Sequence, residues 1–119
     1  MGKSKTIKSI IQQDASECFC KGMGGECAGI LEVHHCIYGR GRRKISDREG
    51  LIVYICSAHH RGTNGVHGKN GEGLSLALKE IVQEAWETEY KRSYPYKNHA
   101  DEAAREAWIK LMGRNYLDE

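Results

Sequence analysis

The chain has 119 residues, 39% of them apolar and 29% charged, with a net charge of +2. This composition fits a single water-soluble domain that buries about two-thirds of its unfolded surface, and it excludes a uniform polycation. The longest apolar run, Leu51 to Cys56, is far too short for a membrane span, so no membrane association is expected.

Charge is unevenly spread. Lys3, Lys5, Lys8, Arg40, Arg42, Arg43, Lys44 and Arg48 make the first half basic, whereas Glu80, Glu84, Glu87, Glu89, Asp101, Glu102 and Glu106 make the last third acidic. A basic face that meets a polyanion is the expectation. Residues 1–13 read as a basic lead-in and 14–119 as one domain, divided into a core (14–70) and a helical part (71–119). No apolar core follows the start "MGKSKTIKSI", so no signal peptide is expected. Gly2 and Thr6 do match the letters of a myristoylation signal.

In chain order, "ILEVHHCIY" (Ile30 to Tyr38) and "LIVYIC" (Leu51 to Cys56) read as strands. The Gly/Arg stretch between them is long for a hairpin turn and reads as a splayed loop. "SAHHR" is helix-compatible until Gly62, and "RGTNGVHGKNGEG" is a loop. That loop is no phosphate-binding P-loop: the glycine spacing is wrong, and Asn70 stands where Ser or Thr is required. From Leu74 the period becomes helical, with Leu74, Leu78, Ile81, Val82 and Ala85 on one face and Trp86 beside it. Pro95 ends this segment. Asn98 is the expected N-cap of a second helix, whose stripe is Ala104, Ala107, Trp108, Leu111 and Met112 and whose stop is Gly113.

Residues 14–70 hold all five cysteines and five of the six histidines. An odd cysteine count argues against a full disulfide framework, and the mixture with histidine favours metal. Cys56 and His59 have the C-x-x-H spacing of half a zinc knuckle. Cys20 and Cys27 are the preferred other half, with Cys18 as competitor. Cys18 and Cys20 are only two residues apart, and one of them, not both, is expected to ligate. A structural zinc ion is therefore expected on Cys20, Cys27, Cys56 and His59.

His34 and His35, adjacent on a strand, must point to opposite faces, and His60 directly follows a proposed zinc ligand. The segment "EVHHCIYGRGRRKISDREGLIVYICSAHHRGTNGVHGKNGE" resembles the HNH (ββα-metal) endonuclease superfamily, most closely the phage-type recombination-enhancement, RecA-dependent nucleases. The similarity rests on "HH", "GRRKIS", "CSAHH" and "GVHGKN", and the terminal "LMGRNYL" is also similar. It implies an α+β fold: a small zinc-stapled, treble-clef-like ββα-metal core with a C-terminal pair of helices. It implies a metal-dependent DNA endonuclease in which His35 is the general base. His34 and His60 would hold a catalytic divalent cation (Mg2+, Mn2+, Ni2+ or Zn2+), and His67 would either complete the metal shell or contact the scissile phosphate. It implies a phage or prophage setting in the bacterial cytoplasm, and a RecA-like filament as partner. Arg40, Arg42, Arg43 and Lys44 would then track the DNA phosphates. The family's name-giving asparagine has no counterpart among Arg48, Glu49, Gly50 and Leu51, which leaves the residue orienting the base unassigned. Two other readings use the same residues: a non-catalytic zinc module that binds nucleic acid, and an interaction domain working through its acidic helices.

Overall fold

The computed structural model describes residues 8–13 and 15–117; Gly2, Lys3, Lys5 and Thr6 lie outside them. Strand β1 (Leu31–His35) pairs antiparallel with β2 (Ile52–Cys56), placing His34 opposite Val53 and His35 opposite Ile52. The chain leaves β1 sooner than its apolar run suggests: Cys36 and Ile37, both fully buried, turn into the core.

The connection between the strands is not an open loop. It carries an eight-residue helix, α1 (Arg42–Glu49), bracketed by Gly41 and Gly50 in left-handed backbone at φ 77° and 75°. Glycine adopts that conformation at little steric cost. Ser46 donates its hydroxyl to the Ile37 carbonyl at 2.6 Å, and Ile45 packs on the core. Helix α2 (Ser57–Arg61) begins directly after β2. Helix α3 (Glu72–Ser93) is long. A short 3-10 turn (Lys97–His99) then leads into α4 (Ala100–Met112). Asn98 sits inside that turn rather than capping α4, which has no side-chain cap. Gly113 closes α4 at φ 80°, as expected.

The described chain is thus α+β, with a two-stranded sheet and four α-helices. One core joins Ile37, Val53 and Ile55 to Leu78, Val82, Trp108 and Met112. The C-terminal helices therefore cover the same core that holds the strands. Residues 9–12 dock on β2: Ser9 Oγ donates to the Ile52 carbonyl, and the Tyr54 N–H donates to Gln12 Oε1. No helix among the described residues is long and apolar enough to cross a membrane.

Candidate metal centres

Helix α2 supplies ligands to two separate groups. Cys56 caps it and accepts a hydrogen bond from the His59 backbone N–H, so Cys56 and His59 lie on one side of its first turn. His60 is one residue further, about 100° round the helix axis, and faces the second group.

In the first group the ligand atoms of Cys18, Cys27, Cys56 and His59 all lie within 4.8 Å of one another. His59 Nε2 donates to the Gly24 carbonyl at 2.7 Å, which fixes the tautomer and leaves Nδ1 as a bare lone pair. That lone pair lies 3.2 Å from Cys56 Sγ, 3.4 Å from Cys18 Sγ and 3.7 Å from Cys27 Sγ. A tetrahedral zinc ion with ordinary bond lengths requires sulfur–nitrogen edges of about 3.5 Å. Three sulfurs and one imidazole nitrogen thus form a group that could hold a metal ion such as zinc. Burial alone would push the Cys56 thiol up. The backbone N–H groups of His59 and Ala28, together with the His59 and Cys18 side chains, outweigh it and bring the group down to about 6, towards the thiolate a metal needs.

The fourth member is Cys18, not the expected Cys20. Residues 17–25 form consecutive turns, with Lys21 N–H donating to the Cys18 carbonyl and Met23 N–H to the Cys20 carbonyl. In such a path the side chains of Cys18 and Cys20 do not follow strand alternation, and only Cys18 reaches the group. Cys20 is fully buried in the core beside Cys18 and stands outside the group.

The second group is His34, His60 and His67, again with ligand atoms within 4.8 Å of one another. Their ring centroids are 5.0–5.3 Å apart. His34 is 1% exposed, and neither of its ring nitrogens has a hydrogen-bond partner. An unpartnered buried polar atom costs about 1–3 kcal/mol, and coordination would relieve that cost at one nitrogen. Burial, followed by the charges of His60 and His67, holds the His34 imidazole down at about 3, so it stays neutral and able to ligate. His60 donates Nδ1–H to Glu32 at 2.7 Å, which turns Nε2 to the group. Arg61 grips the same carboxylate at 3.2 and 2.5 Å.

His67 is positioned by glycines. A Cβ would overlap backbone oxygens of α2 at Gly62 and Gly65, and of the loop itself at Gly68 and Gly71, so the chain can coil this tightly only without side chains there. Val66 N–H donates to the His59 carbonyl and His67 N–H to the His60 carbonyl, which seats the loop on α2.

His35 stands apart from this triad. Its Nε2 lies 2.6 Å from Asp47 Oδ1 on α1. The carboxylate accepts, so Nε2 donates, and Nδ1 is the ring nitrogen turned away from Asp47. A cavity of about 320 Å³ is lined by His35, His60 and His67 together with Tyr38, Arg43 and Arg61. The other expected phosphate contacts divide. Arg40 and Lys44 are exposed. Arg42 is spent on structure, donating Nε–H to the Met112 carbonyl at 3.0 Å and so closing the end of α4.

Two participants were missed in the sequence. Glu32 had a signal, since it lies two residues before His34 and thus on the same face of the strand. Asp47 had none without α1, because only that helix carries it back to β1. Comparison with protein-family models, with curated proteins and with solved structures returns no match.

Proposed function

We propose that this chain is a metal-dependent DNA endonuclease of the HNH type, with a zinc-stapled, treble-clef-like core. The observation that carries the reading is the shared cavity: a histidine free to act as base, two of the three clustered histidines and two arginines open into one space. His35 takes a proton from the attacking water at Nδ1, and Asp47 stabilises the imidazolium that results. Asp47 thereby fills the role left open by the missing asparagine. The water oxygen bonds to phosphorus, the bond to the 3′ oxygen breaks, and that oxygen takes a proton from solvent. Arg43 and Arg61 face the phosphate charge.

A divalent ion on His34, His60 and His67 would supply electrostatic stabilisation of the phosphate and leaving oxygens. Three imidazoles suit manganese, nickel or zinc better than magnesium, which prefers oxygen. The Cys18, Cys27, Cys56 and His59 group would hold the structural zinc. The resemblance further suggests a role in phage recombination alongside a RecA-like filament. A purely binding zinc module would use the same zinc group and cations, but it has no need of the His35–Asp47 pair.

The test is nicking of supercoiled plasmid by zinc-loaded protein. Manganese or nickel should support nicking more strongly than magnesium. Absence of nicking with every ion would contradict the reading.

A further inference from the structure

A second cleft, of about 520 Å³, shares Tyr38 and His67 with the cavity described above. Its other walls come from α3, the glycine loop and the segment after α4, and they include Lys69, Lys79, Arg114 and Tyr116. Lys79 Nζ lies 4.8 Å from the Tyr38 ring centre and 5.5 Å from that of Tyr116, and the Arg114 guanidinium carbon lies 5.2 Å from the Tyr116 ring centre. Among the described residues, no carboxylate is ion-paired with Lys69, Lys79 or Arg114. Glu72 is the one acidic residue in the lining.

We infer that this cleft holds an unpaired nucleotide of the strand being cut, adjacent to the scissile phosphate, with its base against Tyr116 and Arg114 and its phosphate between Lys69 and Lys79. The inference rests on the nuclease reading for the placement of that phosphate. Cations without counter-charges ask for an anion, and aromatic or guanidinium planes ask for a flat partner. A nucleotide offers both, and the combination is how single strands are held. A continuous duplex keeps its base faces stacked on one another and could offer the cleft only phosphates. The volume lies within the range of small-ligand sites. His67 forms a wall of both cavities, so a strand whose phosphodiester lies over the histidine group has this cleft as its next stop.

The experiment is fluorescence anisotropy in a His35→Ala background, which blocks cutting, with a short labelled single-stranded oligonucleotide and the same sequence as a duplex. Tyr116→Leu should weaken single-strand binding on the order of tenfold and leave the duplex unchanged, whereas Tyr116→Phe should bind like the parent. Lys69→Gln with Arg114→Gln, both at exposed positions, should lower the salt dependence of single-strand binding by about one to two ions. Unchanged single-strand affinity in these variants, or equal losses for single strand and duplex, would overturn the inference. Plasmid nicking by the otherwise unaltered chain separates the two claims. Nicking without Tyr116-dependent binding removes the cleft alone, and Tyr116-dependent binding without nicking removes the nuclease reading alone.

Discussion

At His34 and His35 the strand's period of two sends adjacent imidazoles into different surroundings. His34 is buried among His60, His67 and Tyr38, while His35 meets Asp47 on α1. This division was legible in the sequence because it needs only a strand. The choice between Cys18 and Cys20 was not, because it depends on the turn path of residues 17–25, which no periodicity records. The two thiols now make opposite predictions. Cys18→Ser should lose about one zinc ion per chain, and Cys20→Ala should keep it, as read by native mass spectrometry. Zinc retained in Cys18→Ser would disprove the assignment. Asp47 allows a similar separation. Asp47→Asn should slow plasmid nicking on the order of tenfold to a hundredfold with zinc content unchanged, since an amide can donate to Nε2 and displace the proton that keeps Nδ1 free.

At the scale of elements, the strands, α2, α3 and α4 follow from apolar patterning and glycine stops. Helix α1 escaped because "RRKISDRE" offers a single apolar contact, Ile45, and is fixed instead by two left-handed glycines and the buried Ser46 bond. In α3 the apolar stripe is as expected, but Gln83 and Glu87 are buried beside it. Gln83 bonds Glu87 and Asn115, and Arg105 pairs with Glu87 at 2.8 Å. These partners come from α4 and the segment beyond it, which helix-by-helix reading cannot see. The glycine loop gives the sharpest element-level prediction. In Gly68→Ala the new methyl would collide with the backbone of Gly62 and Thr63, costing about 1–3 kcal/mol and displacing His67. Gly73 in α3 has nothing within 4 Å of its Cβ position, so Gly73→Ala should stabilise by about 0.5–1 kcal/mol. Thermal unfolding of both variants, beside metal titration of the first, checks the pair.

Across the whole molecule, one buried tryptophan ties the helices to the sites. Trp108 is fully buried in the common core and donates Nε1–H to the Arg114 carbonyl at 2.8 Å. Gln83 Oε1 accepts from the Tyr116 N–H at 2.7 Å. The segment that lines the second cleft is thus anchored from α3 and α4 together. Trp108→Ala should cost about 3–5 kcal/mol, a large share of the roughly 5–15 kcal/mol that holds a domain folded. Denaturant unfolding should show this as a lower midpoint. Trp108→Phe keeps most of the packing and removes the bond, so it should lose less. The sequence indicated that these helices pack, but not that their far end returns to the histidine cluster, because that return is a long-range contact.

In the proposed mechanism His35 is a base beside a metal centre rather than a structural imidazole. The most direct measurement compares metal-dependent nicking of supercoiled plasmid by the unaltered chain and by His35→Ala, with zinc content determined for both. Nicking should be lost in His35→Ala while zinc stays at about one ion per chain. Equal nicking by both proteins would contradict the mechanism.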